Sequence, residues 1–262
     1  MAPGLADADA IFFDVDDTLY DFDRSMALAF AHLHATFRDV FARHTVDALA
    51  EAYWSHYHGM GEHAKRELIN RDPDLFRRTM WAGALANLGL DTAGLRSGLS
   101  VPGGADPHDL LVERITTEFD RTRAQQWRAA IYPGARELLA DLRKARTLGV
   151  ITNGPTKVQR PKLEAIGYRE FFEEPRVFVS GEFGAAKPDP SIFLAAARSA
   201  GVAPERCVMV GDARVFDMPA KAVGFRTILF CEGRDVPDTA ADEHPPDAIA
   251  KNYRDVRRLL GF

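Results

Sequence analysis

Ala10-Ile11-Phe12-Phe13-Asp14-Val15-Asp16-Asp17-Thr18-Leu19-Tyr20 is an apolar run that breaks abruptly into three carboxylates and a threonine. A short apolar run bounded by polar residues reads as a strand buried on both faces of a parallel sheet. Asp14 and Asp16 then fall at or just past its C-terminal end, the edge where open α/β sheets bind ligands. Two carboxylates that close repel unless something positive lies between them. A divalent cation meets that need, and oxygen ligands favour Mg²⁺ over Zn²⁺.

Outward from this stretch the pattern becomes helical. Phe22, Met26, Ala29, Phe30, Leu33 and Phe37 recur every three or four residues and make one apolar helix face. Leu49, Ala52 and Tyr53 continue in this manner. Asp72-Pro73-Asp74 reads as a helix start, with Asp72 as the N-cap and Pro73 in the first helical position. Leu75 through Leu88 give the next face, and Gly89 a stop. The Gly-, Ser- and Pro-rich stretch 97–107 is the clearest loop in the chain. Leu110, Leu111, Ile115 and Phe119 then resume the helical period. Residues 20–132 therefore read as a separate helical unit, inserted between residues 1–19 and 133–262, with Tyr132-Pro133-Gly134 as its exit hinge.

Beyond the hinge, helix and strand alternate. Strands are expected at 148–151, 176–179, 207–210 and 226–230, and helices at 135–145, 157–166, 191–200 and 253–260. This rhythm implies an α/β fold with a Rossmann-like parallel sheet, helices on both faces, and the helical insert. The main strand ends deliver chosen polar groups: Asp14 and Asp16, then Thr152 and Asn153, then the loop carrying Lys187, then Asp212 with Asp217 five residues on. Parallel strands would gather these groups at one edge. Carboxylates, one lysine and one hydroxyl fit a Mg²⁺ ion and a bound phosphate.

These motifs, in this order, resemble the haloacid dehalogenase-like hydrolase superfamily, in the form with a helical cap inserted after the first motif. The resemblance runs from about Ile11 to Phe230 through Asp14-Val15-Asp16-Asp17-Thr18, Thr152-Asn153-Gly154, Lys187-Pro188 and Gly211-Asp212 with Asp217. Ile11–Asp23 and the run from Thr152 to Arg160 are most similar to nucleoside 5′-monophosphate phosphatases and to N-acylneuraminate-9-phosphatase-like enzymes. The resemblance implies that Asp14 is the nucleophile, forming an aspartyl-phosphate. It implies that Asp16 is the general acid and then base, and lends a backbone carbonyl to Mg²⁺. Thr152 and Lys187 would hold the phosphoryl group, with Asn153, Asp17 and Thr18 beside it. Asp14, Asp16, Asp212 and Asp217 would form the metal site, and Asp217 would also orient Lys187 or a water. One departure stands out. Where the family shows a glycine–alanine pair and a basic residue after Asp217, this chain has Met218-Pro219-Ala220-Lys221, a segment one residue short.

Other readings of the same residues are weaker. A calcium loop needs an acid or amide at its fifth position and glycine at its sixth, where Thr18 and Leu19 stand. His32/His34 and His56/His58 are spaced two apart, so a helix would not bring either pair to one face. Tyr53, Trp54 and Tyr57 read as core. Dehalogenases of the superfamily lack an acid at the position of Asp16, since no leaving oxygen needs a proton. A receiver domain gathers similar groups but has no helical insert. The expected activity is thus phosphomonoester hydrolysis of a small phosphorylated metabolite, with a phosphomutase or a non-catalytic phosphate-binding protein as alternatives on the same core.

The whole chain agrees with this class. Its 262 residues are 46% hydrophobic and 27% charged, enough for a real core. A net charge of −5 argues against non-specific nucleic-acid binding. Two cysteines, Cys207 and Cys231, make no disulfide framework. No basic-then-apolar leader and no run of about 18 apolar residues is present, so neither a signal peptide nor a membrane partner is expected. A cytoplasmic monomer or homodimer is the expectation.

Overall fold

Ala10–Phe13 forms strand β1, and all four residues are buried. In the computed structural model, whose described residues are 4–90 and 106–262, β1 is the middle of a six-stranded sheet. The other strands are β2 (Thr147–Thr152), β3 (Val177–Val179), β4 (Cys207–Gly211), β5 (Arg226–Phe230) and β6 (Ala248–Ala250). Every pairing is parallel, and the order is β3-β2-β1-β4-β5-β6. The chain winds outward from β1 to β3, then crosses back to β4 and winds the other way. The crevice where the winding reverses, between the ends of β1 and β4, is where this topology binds ligands.

Register follows from burial. Ile11 lies between Leu148 and Val208, and Phe13 between Val150 and Val210. Phe12 and Ala10 pack with Ile192, Phe193, Ala196 and Ala197 of the helix Pro190–Ala200, together with Met209 and Phe225. Leu138, Leu139 and Leu142 of the helix Ala135–Leu142 are buried as well. Continuous apolar strands of this kind require cover on both faces.

Contacts divide the chain into two compact units, Met1–Phe22 with Ala130–Phe262, and Asp23–Ala129. The sequence placed the boundaries three residues away at each crossing, at 19/20 and 132/133. The second unit is helical among its described residues: Phe22–Thr36 enters it, then come Val46–Gly59, Glu62–Arg71, Pro73–Asn87 and Pro107–Ala129. Its core is aromatic. Phe30 meets Tyr53 at 5.4 Å and Trp81 at 6.1 Å between ring centroids, and Trp81 meets Phe119 at 5.2 Å. Asp72 caps its helix as the sequence predicts, accepting from Leu75 N at 2.9 Å, with Pro73 in the first position. Most of the loop at 97–107 lies outside the described residues.

Elements that the sequence reading lacks include the short helix Ser180–Phe183 and two more. The helix Glu62–Arg71 has only three apolar residues in ten, so it shows no apolar period to detect. Strand β6 is three residues at the sheet edge, too short for alternation to register.

Gly149, in mid-β2, faces Phe12. A Cβ there would lie 2.4 Å from Phe12 Cε1 and 2.8 Å from the Arg176 carbonyl oxygen. One face of that space is backbone and cannot yield. Gly149→Ala is expected to lower stability by about 1–3 kcal/mol through overpacking. Urea unfolding followed by circular dichroism checks this, and an unchanged midpoint would contradict the close approach.

Candidate active site

The β1–β4 ladder runs one residue past the strand: Asp14 N donates to Val210 O at 2.9 Å. This fixes Asp14 at the switch point, next to Asp212, which follows the last residue of β4. Gly211 closes β4 because a side chain there is impossible. A Cβ on it would sit 2.2 Å from Asp217 Oδ2. Asp217 uses that opening to fold back on the strand end and is fully buried. Its Oδ2 accepts from Ala213 N at 2.9 Å and its Oδ1 from Lys187 Nζ at 2.5 Å. The short segment after it, Met218–Val223, forms a 3₁₀ turn with Pro219 at its start. The departure from the family pattern therefore leaves Asp217 inside the cluster.

Lys187 reaches the same point from the loop after β3. Its backbone is gripped by one side chain. Asn153 Nδ2 donates to Lys187 O and Lys187 N donates to Asn153 Oδ1, both at 2.8 Å. The Asn153 amide thus serves to hold Lys187. Lys187 is 3% exposed, and its ammonium lies 2.6 Å from Asp14 Oδ1. Burial alone would lower the Lys187 pKa, but Asp14 and Asp217 outweigh it and hold the amine above its usual range. Burial pushes the Asp14 carboxyl up, to about 7, against the pull of Lys187 and with help from Asp217 and Asp16. Burial likewise raises Asp217 against Lys187, and Asp212 against Arg234.

One oxygen each of Asp14, Asp212 and Asp217 lies within 4.8 Å of the others. All three are hard oxygen donors of the kind that bind Mg²⁺ or Ca²⁺. The charges fit too. Around the trio, three carboxylates (Asp14, Asp212, Asp217) meet two cations, Lys187 and Arg234. Negative charge remains in excess, which a bound cation would neutralise.

The Asp16 side chain stands apart from this trio. Lys162 Nζ donates to both its oxygens, at 2.6 and 2.8 Å. Gln159 Nε2 donates to Oδ2 at 3.1 Å, and the Tyr20 hydroxyl to Oδ1. Burial would raise the Asp16 pKa, yet the Lys162 charge and these donors prevail and hold it below the usual carboxylate range.

Asp17 has φ 54, in the left-handed region that aspartate tolerates better than most residues. Its Oδ1 accepts from Phe22 N at 2.9 Å, so this carboxylate caps backbone rather than facing the cluster. Thr18 is fully buried with Oγ1 unpartnered, and its carbonyl accepts from Tyr253 at 2.7 Å. Thr152 is 1% exposed at the end of β2.

Sequence reasoning missed four residues. Gln159 and Lys162 lie one turn apart on one face of the helix Thr156–Ala165, and that spacing was a usable signal. Tyr20 closes the quoted stretch itself. Arg234, which donates to Asp212 Oδ2 at 2.8 Å from an irregular loop, had no signal. Two histidines of the helical unit find ordinary partners: His32 meets Glu118 at 2.6 Å, and His34 the His44 carbonyl at 2.7 Å, whereas His56 Nε2 is buried without a hydrogen-bond partner.

The haloacid dehalogenase-like hydrolase family model matches residues 8–223. A phosphoserine phosphatase from Thermus thermophilus is 32% identical over 258 residues, covering 94% of this chain and 96% of its own. The N-acylneuraminate-9-phosphatase of Rattus norvegicus is 37% identical over 110 residues, 42% of each chain. The HAD-hydrolase YfnB from Bacillus subtilis, solved bound to magnesium, shares the fold with a TM-score of 0.63 at 20% identity, covering 97% of this chain and 99% of its own.

Asn153→Ala would strip a buried N–H and a buried carbonyl of their partners at once. A loss of about 2 kcal/mol or more is expected, since each unsatisfied buried group costs about 1–3 kcal/mol. Chemical denaturation measures it. A neutral effect would mean that Lys187 is held by other contacts.

Proposed function

Because the chain belongs to the haloacid dehalogenase-like hydrolase family, we propose that it is a Mg²⁺-dependent phosphomonoesterase acting through an aspartyl-phosphate on a small phosphorylated metabolite. The observation that carries this is Asp14, buried beside one lysine and two further carboxylates, with a second, separately held acid two residues on. The cation supplies charge neutralisation of the phosphoryl oxygens and orientation of the nucleophile. Asp14, Asp212 and Asp217 would hold it, with the Asp16 carbonyl.

The residues then divide the work. An oxygen of Asp14 attacks phosphorus, and the bond from phosphorus to the leaving oxygen breaks. Asp16 gives its proton to that oxygen, releasing an alcohol. In the second half a water attacks the phosphorus of the aspartyl-phosphate, and Asp16 takes its proton. The bond to Asp14 breaks, returning a carboxylate and inorganic phosphate. One residue serves both halves because the second reverses the proton demand of the first. Lys187 and Thr152 hold the phosphoryl oxygens, where positioning and charge account for most of the rate. Asp217 and Asn153 keep Lys187 in place. The helical unit would act as the cap that selects the leaving group. The Thermus thermophilus relative supports a short phospho-acid such as phosphoserine, and the sequence resemblance supports nucleoside monophosphates and sugar phosphates.

Phosphate release over a panel of these three classes tests the reading. Asp14→Asn should abolish turnover, and EDTA should remove it until Mg²⁺ returns. Release that survives Asp14→Asn would overturn the mechanism.

The cation and the proton compete for Asp14. A carboxyl whose pKa rises from 3.8 to about 7 on folding makes the bare protein lose stability as pH climbs across that interval. A cation binding the ionised form restores it. Adding Mg²⁺ to EDTA-treated protein should therefore raise Tm more at pH 8 than at pH 6, and less in Asp212→Asn. An increment independent of pH would count against Asp14 as a ligand.

A further inference from the structure

The mechanism above uses Asp16 as acid and base but leaves unexplained why a buried cation is built onto it. Lys162 is 3% exposed and its ammonium bridges both Asp16 oxygens. Gln159, also 3% exposed, donates through one amide nitrogen to Asp16 Oδ2 and to the Asn153 carbonyl, at 3.1 and 2.8 Å. Both acceptors require the nitrogen on that side, which fixes the amide and aims its unpartnered oxygen elsewhere. The Tyr20 hydroxyl takes the other oxygen of Asp16. Four donor contacts thus fix the plane of a carboxylate whose side chain is still one-third open.

We propose that Lys162, with Gln159 and Tyr20, is the positioning set for proton transfer by Asp16. This rests on the reading of Asp16 as the general acid. Each of the three is hydrogen-bonded to the Asp16 carboxylate itself. They act by holding the Asp16 carboxyl where its proton reaches the leaving oxygen as the phosphorus–oxygen bond breaks. The same helix, Thr156–Ala165, follows Asn153, which grips Lys187. One segment after β2 therefore sets both the phosphate-facing lysine and the acid, and their separation is fixed by short covalent paths. Misplacing a catalytic group by about 1 Å costs about 10²-fold.

A residue that only neutralises a buried charge would, on removal, slow all substrates alike. A positioning residue for the acid would slow only those whose leaving group needs a proton. The test is kcat/KM, which covers the steps through loss of the alcohol, measured with Mg²⁺ across aryl phosphates of falling phenol acidity to an alkyl phosphate. Asp16→Asn is expected to fall about 10²–10⁴-fold on the alkyl ester and little on 2,4-dinitrophenyl phosphate. Lys162→Met should show the same slope with about a 10²-fold loss on the alkyl ester, and Lys162→Arg should recover part of it. Tyr20→Phe and Gln159→Leu remove one donor each and should show a shallower slope in the same sense. They carry the test if Lys162→Met does not fold.

A flat loss in Asp16→Asn would refute the role of Asp16 itself. A steep Asp16→Asn beside a flat or absent effect in the Lys162, Tyr20 and Gln159 variants would overturn the positioning set and leave the phosphatase reading intact.

Discussion

Lys187 between Asp14 and Asp217 is the contact on which the site depends. Its ammonium lies 2.6 and 2.5 Å from the two carboxylates in a place closed to water. Without it, two buried acids would face each other at the end of a strand pair. Breaking a buried ion pair by removing one partner costs about 3–5 kcal/mol because the remaining charge has no solvent. The surrounding features serve this contact. Asn153 holds the lysine backbone from both sides, Gly211 leaves room for Asp217, and the parallel pairing of β1 with β4 sets Asp14 beside β4.

Asp14 and Asp16 are two residues apart yet live in different surroundings. On a continuing strand they would share a face. Here the pairing of β1 ends at Asp14, so the chain leaves strand geometry before Asp16. Asp14 goes to the carboxylate trio and Asp16 to Lys162. That divergence suits the proposed division between a nucleophile and a separate proton carrier.

Much of this was legible in the sequence for one reason. Strand ends in a parallel sheet fall on one edge, so Asp14, Asp212 and the lysine loop after β3 were bound to meet once the strands were identified, with Thr152 buried at the end of β2. The two-way winding of the sheet, β3-β2-β1-β4-β5-β6, adds the location of the crevice. What stayed hidden depends on tertiary direction. Helical spacing puts Gln159 and Lys162 on one face but does not say what that face meets. Arg234 sits in a loop, where no period exists to read. The Asp17 carboxylate turns to cap Phe22 N, a contact that no residue spacing signals.

The two aspartates are pushed in opposite directions. Burial raises Asp14, while Lys162 and its fellow donors hold Asp16 below the usual carboxylate range. The proposed mechanism asks for an ionised Asp14 and a protonated Asp16. What the site would receive favours both. Positive charge among Asp14, Asp212 and Asp217 favours the carboxylate form of Asp14. A phosphate dianion brought beside Asp16 adds negative charge there and favours its protonated form, since like charge raises a carboxyl pKa. Lys162 is close enough to oppose that second change but cannot move off Asp16 without exposing a buried ammonium. In the proposed mechanism the ion pair would keep Asp16 in place while the arriving substrate sets its proton, which would separate position from protonation in a single carboxylate.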